Sequence, residues 1–171
     1  ILETQRWRLR TAQEEDENCG VLIALLERGE RVAKRKFERS AVETALKEQN
    51  EYCIQDGLLS KRLSSSTGES IVPVIPEGGA KVISWGGKKR VLTWKKWILY
   101  FLHNSTAGAH VSMHHLQEKV QEVAWWKGLY TECVSWCKRC PTCRMIKGQT
   151  HGSAAYRSER YTSPFRVIMI D

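Results

Sequence analysis

Four residues constrain this chain more than any other feature. His103 and His110 stand seven apart, 29 residues follow, and Cys140-Pro141-Thr142-Cys143 closes the set. Two imidazoles and two thiolates complete a tetrahedral zinc shell and leave no position for water or substrate, so the chemistry is structural. Both sulfurs of a Cys-x2-Cys turn reach one ion, and Pro141 stiffens that turn. The 29 intervening residues are too many for a ββα finger and enough for a helix, a turn and a second helix. Zinc would then join the end of a helix before His103 to the end of a helix before Cys140. Cys137-x2-Cys140-x2-Cys143 holds two overlapping pairs, so Cys137 is an alternative to Cys143. Its apolar neighbours Leu129 and Cys133 argue for a small core residue instead. His114 and His115 fall on an expected helix and read as surface or packing residues. His151 falls in a loop, and Cys19 and Cys53 are isolated and read as buried thiols.

Charge follows the same division. Residues 1–80 carry 12 basic and 14 acidic side chains, whereas residues 81–160 carry 14 basic and 4 acidic. The overall +8 therefore belongs to the half that holds all five histidines and four of the six cysteines. That excess is more than solubility needs and fits a polyanionic partner. The length of 171 residues can bury a core without disulfides, and no secretion signal is visible, so a disulfide framework is disfavoured. Hydrophobic content of 42% and seven Trp exclude a disordered chain. The longest apolar run, Trp97 to Leu102, is far short of the ~18 residues of a membrane span. The first residues lack both Met and a signal layout, as expected of a piece of a longer protein.

Residues 1–50 read as helical. Asn18 is the expected cap of a helix through Val21–Leu26 that ends at Gly29, and a second helix is expected over Phe37–Lys47. The first ten residues carry no clear signal. Asp56-Gly57 between two apolar runs predicts a type I′ hairpin, and the prolines of Ile71-Val72-Pro73-Val74-Ile75 predict an edge strand or extended segment. Gly86-Gly87 predicts a second hairpin. Thr93 is the expected cap of a helix whose stripe is Trp94, Trp97, Ile98, Phe101 and Leu102, with Lys95 and Lys96 facing away. Ser112 should cap a helix burying Met113, Leu116, Val120 and Val123. Another helix from Leu129 should place Leu129, Cys133, Trp136 and Cys137 on one face. Phe165–Ile170 has the pattern of a strand.

The spacing resembles the His-His-Cys-Cys zinc-binding domain of retroviral and LTR-retrotransposon integrases, most like that of gypsy-type elements. Leu102-His103-Asn104-Ser105 and Ala107-Gly108-Ala109-His110 resemble the family's surroundings of its two histidines. Trp125-Trp126-Lys127-Gly128-Leu129 resembles its aromatic-Trp-Pro-Gly-Met turn, with Lys127 in place of Pro. Tyr52–Leu59 resembles the hairpin that precedes the module. Pro164–Asp171 resembles the first strand of the RNase-H-like core, and by that resemblance Asp171 matches the first acidic residue of the catalytic triad.

The resemblance implies a mainly α chain with small β hairpins. It would comprise a helical extension (1–50), a β-hairpin module (51–93), the zinc-binding domain (94–150), a linker (151–163) and the truncated start of a catalytic core (164–171). It implies structural Zn2+ on His103, His110, Cys140 and Cys143. Mg2+ or Mn2+ enters only in a complete core, where metals on three carboxylates activate water and then a 3′-hydroxyl. With one such carboxylate, residues 1–171 are expected to have no strand-transfer activity. The implied partners are DNA and further copies of the chain, with no membrane, and the parent protein would act in the nucleus. Lys88, Lys89, Arg90, Lys95, Lys96, Lys138, Arg139, Arg144 and Lys147 are the candidate phosphate contacts. The alternative is a free-standing or domesticated zinc module that binds nucleic acid or protein without catalysis.

Overall fold

The computed structural model describes residues 5–65, 68–85, 88–106 and 108–148, of which 65, 80–85, 88–90 and 146–148 by backbone alone. The architecture is mainly α with small antiparallel β elements. Four helices come first: α1 (Arg6–Glu15), α2 (Glu17–Arg28), α3 (Glu30–Lys36) and α4 (Arg39–Glu48). Asp16, not Asn18, caps α2, because its Oδ1 accepts from the Cys19 N–H at 3.0 Å. Gly29, with φ 82°, ends α2 as expected. Seven consecutive residues of α2, Cys19 to Leu25, are buried, so this helix is covered all round. The helix expected over Phe37–Lys47 is interrupted at its start. Phe37 is extended, terminates α3 and lays its ring against Gly20, so packing on α2 overrides the local pattern.

Asp56 (φ 51°) and Gly57 (φ 75°) form the expected turn between β1 (Tyr52–Gln55) and β2 (Leu58–Ser65). β3 (Gly68–Pro73) pairs antiparallel with β2 and is an edge of the three-stranded sheet. Beyond β3, the chain turns to a different partner. Ile75 N–H donates to the Trp125 carbonyl at 2.8 Å, and Trp125 N–H donates to the Pro73 carbonyl at 3.0 Å. A second hairpin, β4 (Ala80–Trp85) with β5 (Lys88–Thr93), runs into α5 (Trp94–Leu99); its Gly86-Gly87 turn lies outside the described residues. Thr93 Oγ1 caps α5 by accepting from Lys96 N–H at 3.3 Å.

A π-helical turn, Tyr100–Asn104, continues α5. α6 (Met113–Gln121) is capped by Ser112. α7 (Leu129–Arg139) is entered through Gly128 at φ 83°, and α8 (Pro141–Gly148) follows. Leu116 and Val120 of α6 are buried as expected, whereas Val123 lies past its end and is exposed. The Cys140–Cys143 segment, expected as a tight turn, instead begins α8, with Pro141 at the first helical position. The expected linker (151–163) and strand (164–171) lie outside the described residues.

Two apolar clusters form. One unites Leu9 and Ala12 of α1 with Leu58, Ile75, Trp94, Leu99, Leu116, Trp126 and Cys133. The other unites α2, α3 and α4 with Tyr52, Leu59 and Val74. Packing therefore runs across the three segments drawn from sequence. Between the clusters lies Gln13, fully buried, whose Nε2 donates to the Leu59 and Val74 carbonyls and whose Oε1 accepts from Leu59 N–H. Among the described residues no helix is long and apolar enough to cross a membrane.

Candidate metal centre

His103 lies in the π-turn and is fully buried. The wider turn adds a residue to the helix at the point where the ligand must face inward. The following loop brings His110 back. Gly108 N–H donates to the Ser105 carbonyl at 2.9 Å, and His110 N–H donates to the His103 carbonyl at 3.0 Å. A Cβ on Gly108 would lie 2.6 Å from the Leu102 carbonyl oxygen, so only glycine fits this reversal. Ala109 (φ 47°) and His110 (φ 51°) are both left-handed, a strained pair of non-glycine residues at the site. Cys140 ends α7, and Cys143 sits in the first turn of α8.

The donor atoms of His103, His110, Cys140 and Cys143 all lie within 4.8 Å of one another. Cys143 Sγ is 3.3 Å from His103 Nε2, Cys140 Sγ is 3.3 Å from His110 Nδ1, and Cys143 Sγ is 4.0 Å from His110 Nδ1. Tetrahedral zinc bonds would separate nitrogen and sulfur ligands by about 3.6 Å. The donor set therefore fits the ion in both chemistry and spacing. Cys140, Cys143 and His103 are buried and His110 is half-buried, so ligation would be closed to solvent.

The other candidate ligands fall outside the group of four, although Cys137 touches it. Cys137 Sγ is 3.8 Å from Nδ1 of His103, the ring nitrogen not directed at Cys143, and it packs in the core. His114 and His115 are exposed on α6, and His115 Nδ1 hydrogen-bonds Ser112 Oγ at 3.0 Å. None of the six cysteines, all of them among the described residues, is in a disulfide. Burial pushes the Cys133 thiol up to about 12, and burial likewise pushes the Cys19 thiol up. His151 and Asp171 lie outside the described residues.

The cations expected to meet phosphate divide. Lys96, Lys138, Arg139 and Arg144 are exposed. Lys95 was expected to face away from the core but is 5% exposed, held by Glu77 and Glu132 beneath α5. Its charge is already paired, so it is not a free phosphate contact. Lys88, Lys89 and Arg90 lie on β5 and Lys147 on α8.

Two residues not read from the sequence as part of the site adjoin the ligands. Asn104 Nδ2 lies 4.0 Å from Cys140 Sγ, and its Oδ1 accepts from Trp136 Nε1–H at 2.9 Å. Position was the available signal: Asn104 follows a ligand, and Trp136 precedes another by one helical turn.

A closed His2Cys2 cluster between the ends of two helices defines a structural zinc module. More narrowly, residues 93–149 match the model of the integrase zinc binding domain, and all four cluster residues fall within them. Comparison with curated proteins and with solved structures gave no match.

Proposed function

We propose that this chain is the DNA-engaging, multimerising zinc-bearing region of a retrotransposon integrase. The observation that carries the reading is the closed four-ligand cluster within the matched segment. Zn2+ on His103, His110, Cys140 and Cys143 would supply fold stability, not catalysis. The protein's own residues prepare that role. The π-turn buries His103, Gly108 permits the return of His110, and Pro141 starts the helix that holds Cys143.

In this reading, Lys96, Lys138, Arg139 and Arg144 position a DNA backbone through phosphate contacts. Lys88, Lys89, Arg90 and Lys147 are assigned to the same role from their place in the sequence. A second copy of the chain is the other partner. The parent protein acts in the nucleus, and there Asp171, with the other carboxylates of a complete core, would hold the Mg2+ or Mn2+ that supplies activation of water and of a 3′-hydroxyl.

The test is binding of labelled duplex DNA by the zinc-loaded chain across a salt series. The reading expects zinc-dependent binding that weakens steeply with salt. Binding that persists unchanged after chelation and in Cys140→Ser would overturn it. A second Asp and a Glu in an RNase-H-like pattern downstream would separate an integrase from a free-standing binding module.

A further inference from the structure

We propose that Asn104, oriented by Trp136, is a positioning residue for the Cys140 thiolate. The inference rests on the zinc reading above and concerns a different property, the control of one ligand by its neighbours.

An asparagine presents an acceptor and a donor group of nearly equal shape, and either can face a given neighbour. An indole N–H can only donate. Trp136 Nε1–H meets the Asn104 oxygen at 2.9 Å, which fixes the orientation and turns Nδ2 toward Cys140 Sγ at 4.0 Å. A ligand sulfur that accepts such a bond is held in place by it, so the contact sets where Cys140 Sγ lies relative to the other three donors.

The covalent layout supports the same role. Asn104 is bonded to His103 and closes the π-turn, while Trp136 is one helical turn before Cys140 on α7. The pair thus bridges the two elements that the metal must join, and does so on the side of Cys140. Trp136 is half-buried against the apolar cluster, which holds its ring in place. The open groove beside these residues, also lined by Lys96, Leu99, Ser135 and Arg139, lies next to the contact. Asn104, Trp136 and Cys140 all line it.

The experiment uses the full chain and its variants Asn104→Asp and Trp136→Phe. Asp keeps the size of Asn104 and cannot donate when ionised; Phe keeps an aromatic ring and lacks the N–H. Zinc affinity is read by competition with a chromophoric chelator, and thiolate ligation by the visible spectrum of the Co2+-substituted protein. Both variants should bind zinc about 10–100-fold more weakly, with a shifted thiolate-to-cobalt band. Circular dichroism of the zinc-loaded variants checks that the fold is retained, and Asn104→Ser, which keeps a short donor, should fall between wild type and Asn104→Asp. If both variants bind zinc within twofold of wild type with an unchanged cobalt spectrum, the positioning role is wrong and the zinc site stands. If the wild-type chain itself takes up no stoichiometric zinc or cobalt, the site reading fails as well.

Discussion

At the residue scale, the tightest constraint is steric. Gly108 touches the backbone of Leu102 and His103 so closely that a methyl group would overlap it. Gly108→Ala should destabilise the protein by roughly 1–3 kcal/mol through forced backbone shifts, read as a lower midpoint in thermal unfolding of the zinc-loaded chain. A second effect concerns protons. Burial pushes the Cys133 thiol and the Tyr52 phenol each up to about 12. Both groups keep their protons in the folded state over a range in which the unfolded chain has lost them. Their contribution to stability is therefore complete below about pH 8.5, where unfolded cysteine begins to ionise. It is lost as pH rises from there toward 12. Urea midpoints should fall over that range, and Tyr52→Phe should reduce the part of the fall above about pH 10.

At the element scale, helix ends decide the site. α5 passes into the π-turn that buries His103, α7 ends on Cys140, and α8 begins on Pro141. Removing zinc should dissolve this arrangement, because ligation energy is folding energy where no site exists in the unfolded chain. Chelation should lower the helical circular dichroism, and zinc should restore it. α5 also separates two adjacent lysines that the sequence treats alike. Lys95 is buried between carboxylates and Lys96 is exposed. Lys96→Gln should therefore lower the slope of log affinity against log salt for duplex DNA by about one. Lys95→Gln should leave that slope unchanged.

At the scale of the molecule, the N-terminal helices are part of the core. Leu9 and Ala12 pack with Trp94, Leu116 and Cys133, and Gln13 satisfies three buried backbone groups of Leu59 and Val74. Gln13→Leu would remove this partner from the Leu59 N–H and the Val74 carbonyl, whereas the Leu59 carbonyl would keep its bond from Val74 N–H. Each of the two groups left without it costs about 1–3 kcal/mol, so the change should markedly lower the urea midpoint. Hydrogen exchange should reveal the coupling: protection should fall in α6 and α7 as well as in β2. Retention of full protection in α6 and α7 would show the two cores to be independent.

The division between sequence and structure follows from the range of the interactions. Local chemistry was legible: the left-handed Asp56-Gly57 turn and the Thr93 and Ser112 caps depend on residues a few places apart. Cys140 and Cys143 were readable as ligands because metal chemistry limits which side chains can serve. What failed to show was set by distant partners. The break at Phe37 depends on Gly20, and the burial of Lys95 depends on Glu77 and Glu132. The Asn104–Trp136 contact depends on two helices meeting. By itself the sequence determined the donor set and the starts of α5, α6 and α7, since these follow from residue type and local pattern. Only the tertiary structure decided which nitrogen of His103 faces Cys143, which lysine is free and that α1 completes the zinc module's core. Those outcomes depend on burial and long-range contact, which no local pattern encodes.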